Sequence, residues 1–230
     1  MEKLLKDYSD VEKGAYLGAI SSIATADHSA TEEEIEYIMA LADSASLSDE
    51  QKEAVRRAAT ELTGQELKKC LDILKNSDLK YSLVTDLISF AESDKKYSDE
   101  ERANVEKISQ YLGINQQQFN LLDQFVKKTA ETQPEPEEVT KPTFLSRLGL
   151  DQKFQNSGIN LGSLTKGLLG IAGPMILANL IRGRQSRGMS SSLNPFGMGG
   201  RSGLGSIISM LSGGRGFSRT GNMFNRVFGI

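Results

Sequence analysis

LGAISSIATADHSATEEEIEYIMALADSASLSDEQ (residues 17–51) and VTDLISFAESDKKYSDEERANVEKISQYLGINQQQ (residues 84–118) are two renderings of one pattern, offset by 67 residues. Leu17 matches Val84, Ile20 matches Leu87, and Ala24 matches Ala91. Asp27 matches Asp94, Thr31 matches Ser98, and Glu34 matches Glu101. Ile38 matches Val105, Leu41 matches Ile108, Leu47 matches Ile114, and Gln51 matches Gln118. Apolar positions coincide with apolar positions and helix-start residues with helix-start residues. A unit of this kind cannot bury its apolar stripe alone, so two units packed about a pseudo-twofold are expected.

Outward from this pair, residues 9–131 read as helix after helix. Asp10 or Ser9 can cap a helix carrying Tyr16, Leu17, Ile20, Ile23 and Ala24 at helical spacing. Thr31 with Glu34, Ser48 with Gln51, Thr63 with Glu66, and Ser98 with Glu101 have the spacing of reciprocal capping boxes. Asp78 and Asn115 are further candidate caps, the latter ahead of Phe119, Leu122, Phe125 and Val126. Residues 63–77 read as the helix connecting the halves. The first proline is Pro134, and no stretch alternates as a strand would. The expected fold is all-α: a compact helical bundle of two pseudo-repeated halves.

Residues 132–143, rich in Pro and Glu, read as an extended linker. Residues 144–230 are of another kind. They carry ten Lys or Arg residues against the single acid Asp151, and 18 of the 22 glycines. With a net charge of −3 for the chain, the tail is +9 and residues 1–143 are −12, a split that points to different partners for the two parts. Apolar segments lie at 161–181 and 204–211, with a weaker run at 223–230, in an otherwise largely irregular glycine-rich tail with short helices. The uncharged stretch 167–181 is shorter than the roughly 20 residues needed to span a bilayer, and Pro174 interrupts it. Gly167, Gly170 and Gly173 recur at a spacing that lets helices approach closely.

Composition narrows the chemistry. At 38% hydrophobic and 25% charged the chain falls in the soluble globular range. One cysteine (Cys70) and one histidine (His28) exclude an internal disulfide, a Cys/His zinc site within one chain and most histidine-based triads. Cys70 sits in a helical stretch and reads as a small core residue rather than a nucleophile. The N-terminus lacks the apolar core of a signal peptide, so a cytoplasmic protein is expected, placed at the inner face of the membrane if the tail binds lipid.

The run Ala24-Thr-Ala-Asp27, Thr31, Glu34, then an apolar helix and Leu47-Ser48 with Gln51, resembles the TerB-like tellurite-resistance family. Its second copy, Ala91 through Asp94, Ser98 and Glu101 to Leu112-Gly113-Ile114-Asn115, resembles it more closely. The resemblance covers about residues 9–131 and none of the tail. It implies a compact helical domain of two similar halves, in a bacterial stress or envelope-associated system, with an acidic face that takes divalent metal. Where the family carries glycine after the first aspartate, this chain has His28 and Lys95, and Lys95 with Lys96 weakens the negative potential of the second loop.

Two acidic helix starts follow from the residues themselves. Asp27 with Glu32, Glu33 and Glu34, and Asp94 with Asp99, Glu100 and Glu101, can serve as caps that complement the helix dipole. The same carboxylates are also the candidate ligands, Asp27, Glu34, Asp94 and Glu101, for a hard cation such as Ca or Mg. Capping has the better claim, because neither loop has the calcium-loop pattern. His28 reads as a solvated loop residue. No substrate pocket or catalytic residue is legible, and the expected protein is not an enzyme. The tail contacts expected are Leu168, Leu169, Ile171, Met175, Ile176, Leu177, Leu180, Ile181, Arg182, Arg184 and Arg187. They suit an anionic membrane surface, or else self-association or docking on partner proteins. Nucleic acid is disfavoured by the sparse basic residues. The function expected is a binding adaptor of a peripheral-membrane kind, metal-responsive through its acidic face. The alternative is a structural component of a homo- or hetero-oligomeric assembly.

Overall fold

The computed structural model describes residues 5–24, 32–60, 64–93, 99–132, 138 and 141–167. Ten helices follow in order among them: α1 (Asp10–Ala24), α2 (Glu32–Ser44), α3 (Asp49–Thr60), α4 (Gln65–Leu74), α5 (Leu79–Ser93), α6 (Asp99–Tyr111), α7 (Gln116–Thr132), α8 (Pro142–Leu148), α9 (Asp151–Ser157) and α10 (Leu161–Gly167). Among the described residues all regular structure is helical, as the sequence pattern predicts.

Two helices are central. Every residue from 14 to 23 of α1 is buried, as is every residue from 81 to 88 of α5. A helix without a solvent face has no polar stripe to show, so α1 and α5 mix Leu and Ile with Gly, Ala, Ser and Thr all round. α1 packs chiefly on α3 and α4, and α5 on α6, α7 and α10. Close packing on α1 depends on small residues: a Cβ at Gly14 would lie 2.1 Å from Gln51 Oε1, and one at Gly18 would lie 2.9 Å from Cys70 Sγ. The glycines thus let α3 and α4 reach the α1 backbone.

The helix starts largely follow the capping pattern. Ser9 caps α1, accepting the Glu12 N–H (3.3 Å) while its own N–H donates to Glu12 Oε2 (3.0 Å). Asp10, the other candidate, instead accepts the Ser48 N–H across to the start of α3 (3.3 Å). Gln51 N–H donates to Ser48 Oγ (3.3 Å), and Asn115 with Gln118 forms a full reciprocal box (2.9 and 3.1 Å). Two starts differ from expectation. α4 follows Gly64, a cap without a side chain, at φ 80°; Thr63, the expected cap, lies outside the described residues. At α5 it is Ser77 Oγ, not Asp78, that accepts the Leu79 N–H (3.3 Å). Thr31 and Ser98 lie outside the described residues.

The larger difference concerns the chain after α7. A division into helical domain, linker from 132 and separate tail from 144 does not coincide with the packing. Phe144, Leu145, Leu148, Leu150, Phe154, Ile159 and Leu164 are buried in the same core as α1–α7. Phe125 of α7 meets Phe144 (centroids 6.3 Å, 89°) and Phe154 (5.8 Å, 77°) edge-to-face. Within the expected linker, Glu138 pairs with Arg147 at 2.9 Å. Composition marks glycine and charge, but the docked residues are ordinary core side chains on helices of seven residues, too short to show a period.

Phe125 is therefore the node joining the bundle to its extension. Phe125→Ala is expected to destabilise the full chain by about 3–5 kcal/mol in urea unfolding, against no more than about 0.5 kcal/mol for Val11→Ala on the surface. At the end of α2, Ser46 sits at φ 55°, a conformation that strains any side chain. Ser46→Gly is expected to raise stability by about 0.5–1 kcal/mol in the same assay.

Candidate functional site

The C-terminal carbonyls of a helix have no partner within the helix and must find one elsewhere. In α8, α9 and α10 one such partner or more comes from the bundle. Lys128 Nζ donates to the Leu148 carbonyl at the end of α8 (2.5 Å). Gln118 Nε2 donates to the Ser157 carbonyl at the end of α9 (2.9 Å). Ser82 Oγ donates to the Leu164 carbonyl in α10 (2.9 Å), and the Tyr16 hydroxyl lies against the Gly167 carbonyl. The bundle thus presents a seam of side-chain donors, on α1, α5 and α7, that receives three consecutive helix ends.

The seam is deepest at α10. Tyr16, Ser82, Thr85 and Asp86 are all buried there. The Tyr16 hydroxyl donates to the Asp86 carboxylate as well as facing Gly167, and one proton serves two acceptors. Tyr37 of α2 closes the back of the cluster. Burial, with the Asp86 charge second, pushes its phenol well above the usual range, and its Oη finds no hydrogen-bond partner among the described residues. Gly167 fits because it has no side chain: a Cβ would lie 2.3 Å from Ser82 Oγ and 2.9 Å from Leu79 Cδ2.

The divalent-metal expectation is overturned. Among the described residues no group of three or more His, Cys, Asp or Glu side chains could hold a metal ion. Several of the described carboxylates are engaged by hydroxyl groups or basic side chains. Hydrogen bonds from Ser77 and Ser9 hold Glu12 below the usual carboxylate range, and those from Tyr111 and Lys68 do the same for Asp72. Asp43 pairs with Lys52 at 2.7 Å, and Asp123 takes Lys127 at 2.9 Å and Arg102 at 3.4 Å. Glu34 lies on α2 and Glu101 on α6, but their side chains, like Asp27, His28 and Asp94, lie outside the described residues. All the expected tail contacts, Leu168 to Arg187, lie outside them too.

Two other features complete the surface. A polar hollow of about 380 Å³ lies between α7 and α9, lined mainly by carboxamides, among them Asn115, Gln118 and Asn156, with Lys153. Cys70 is half-buried against the core, and burial pushes its thiol up to about 12. It is a packing residue, as its sequence context predicts.

Sequence reading missed the seam because its members look like something else. Tyr16 reads as an apolar position, and Ser82 and Asp86 as the polar side of α5. The available signal was that α5 carries apolar residues all round, so its polar residues must be buried too. Gly167 was legible as a site of close helix approach, though not its partner Ser82.

Fold and seam together define an all-α bundle that seats its own C-terminal helices. Residues 14–124 match the family described as tellurite resistance protein TerB. That stretch, from α1 into α7, is a helical region similar to the TerB family, and the match leaves α8–α10 and the tail uncovered. No curated protein and no solved structure matches the chain.

Because the folded thiol keeps its proton to about 12, the unfolded chain deprotonates first as pH rises. The contribution of Cys70 is full below about pH 8.5 and is lost between there and the folded value. Cys70→Ala is expected to flatten this alkaline decline in denaturant titrations between pH 8 and 10. Native protein is expected to react with a thiol reagent at pH 8 at least tenfold more slowly than unfolded protein.

Proposed function

We propose that this protein is a non-catalytic adaptor whose TerB-like bundle is held at an anionic membrane surface, on the cytoplasmic side, by its basic apolar tail. The observation that carries this reading is the charge split: +9 over residues 144–230 against −12 over residues 1–143. An acidic body is repelled by anionic lipid and a basic tail attracted to it, so lipid contact is directed to the tail. No helix among the described residues is long and apolar enough to cross a membrane, and the short apolar segment 161–181 suits insertion at the headgroup level.

The bundle we read as two related halves, offset by 67 residues. In support, α2 and α6 start and end 67 residues apart, as do the starts of α3 and α7. Both α2 and α6 end in the same way. Leu47 N–H reaches back to the Ala42 carbonyl (3.1 Å) with Ser46 left-handed, and Ile114 N–H reaches the Ser109 carbonyl (2.9 Å) with Gly113 left-handed.

One observation favours a second reading, a component of a homo- or hetero-oligomeric assembly. Gly167 packs helix backbone directly onto Ser82, the kind of contact that glycine-rich segments make with a partner helix.

Liposome flotation separates the two. The truncation should end at residue 167, since residues 142–167 supply core. Full-length protein is expected to float with anionic vesicles, less at high salt, and the 1–167 chain to stay behind. Replacing Arg182, Arg184 and Arg187 together by Gln should raise the lipid concentration for half-binding about 100-fold at low salt. If neither protein floats, the membrane reading fails, and the solution mass of the full chain tests the assembly reading.

A further inference from the structure

The hollow of about 380 Å³ between α7 and α9 has a lining of unusual chemistry. Nine described residues form it, and none of them is Asp or Glu, although residues 1–143 together carry −12. Its one charged group is the Lys153 ammonium, and its one large apolar side chain is Leu121. Six of the nine are carboxamides.

A carboxamide can turn a carbonyl or an NH2 group to a ligand, and the bonds it already makes decide which. Gln124 Oε1 accepts Lys153 Nζ (3.0 Å), and Asn115 Oδ1 accepts the Gln118 N–H (2.9 Å). In both cases the partner is a donor, so the oxygen is spent and the NH2 end is left for the hollow. Gln118 is committed at both ends, to the Asn115 N–H (3.1 Å) and to the Ser157 carbonyl (2.9 Å). Lys153 has used one of its three protons on Gln124. For Gln117 and Asn156 no such bond sets the amide among the described residues, and either end can meet a hydroxyl, itself both donor and acceptor.

The oriented donors therefore fall into two groups. Lys153 and Gln124 form one, with the only charge, and Asn115 forms the other. Asn115 and Gln124 stand nine residues apart, about 13 Å of helix rise. One compact ion cannot bridge them, but an elongated molecule can. An anion belongs at the Lys153 end, where an ammonium and an NH2 group converge. The rest of the ligand has to be hydroxylated rather than apolar or flat, because the lining beyond Leu121 is polar and contains no aromatic ring.

We propose that this hollow is a binding site for a phosphorylated sugar alcohol or open-chain sugar. Lys153 and Gln124 hold the phosphate, Gln117 and Asn156 the hydroxyls along the chain, and Asn115 the far oxygen. Lys153 and Asn156 lie beyond residue 124, so the site exists only where the extension docks on the TerB-like region. It depends neither on the membrane reading nor on the tail beyond residue 167.

The test is NMR of side-chain NH2 groups in the isotope-labelled full-length chain. The probes are sorbitol 6-phosphate, inorganic phosphate, sorbitol and a neutral-side-chain tripeptide. Three variants accompany wild type. Gln124→Glu keeps the acceptor for Lys153 and replaces the NH2 group by a charge of the wrong sign. Asn115→Ser keeps a good helix cap and removes the far donor. Lys69→Gln, on α4, is a control for loss of one positive charge. Sorbitol 6-phosphate is expected to saturate below about 1 mM, shifting the Gln124 and Asn115 NH2 signals together. Inorganic phosphate is expected to bind about tenfold more weakly and to shift Gln124 alone, and sorbitol not to saturate. Gln124→Glu is expected to weaken both phosphate probes about tenfold or more. Asn115→Ser is expected to weaken sorbitol 6-phosphate about fivefold and to leave inorganic phosphate unchanged. Lys69→Gln is expected to change neither. The site is overturned if sorbitol 6-phosphate gives no saturable shift, or if Gln124→Glu weakens it no more than Lys69→Gln. Inorganic phosphate as tight as the ester overturns the polyol assignment, and a tripeptide tighter than the ester overturns it in favour of a peptide.

Discussion

From residue 14 to 23 of α1 and from 81 to 88 of α5 no face is turned to water, and the rest of the molecule is arranged to make that so. Each is covered all round by other helices: α1 chiefly by α3 and α4, α5 by α6, α7 and α10. Covering a helix on every side demands small residues where a neighbour comes close, hence Gly14 and Gly18 beneath Gln51 and Cys70. It also demands partners for every polar group caught inside, because a buried unpaired group costs about 1–3 kcal/mol. Tyr16 and Asp86, 70 residues apart in sequence, answer that demand by binding each other across the two central helices.

From this follows the role of the extension. α5 lacks a full cover from α1–α7 alone, and α10 supplies it along Ser82 and Leu79. The extension closes its helix ends only in part, by the Gly149 and Leu150 N–H groups at α8, and the bundle supplies further donors: Lys128, Gln118, Ser82 and Tyr16. Each part completes what the other leaves open. The TerB-like region of residues 14–124 is thus a smaller unit than the packed body, which takes in residues 144–167 as well.

Much of the bundle was legible in the sequence, for local reasons. Ser48 with Gln51 and Asn115 with Gln118 act within four residues, so their spacing suffices to read them. Leu17, Ile20, Leu41, Val84, Leu87 and Ile108 are core residues at the positions that helical spacing marks. The acidic helix starts were legible as acids, but a metal site is a matter of convergence, and among the described residues no three metal-ligating side chains converge. The docking of Phe144 and Phe154 was not legible, because helices of seven residues show no period and a Pro/Glu stretch before them reads as a spacer.

By itself, the sequence determined the helix content, the capping chemistry, the charge division at residue 143 and the TerB-like pattern, since propensity, capping and composition are properties of neighbouring residues or of their sum. The tertiary structure alone decided that residues 144–167 join the core, that Tyr16, Ser82 and Asp86 face inward, and that Ser82 is the partner of Gly167. Those outcomes depend on which surfaces meet. Residues as far apart as Tyr16 and Gly167 come into contact only when burial of the two central helices brings them together.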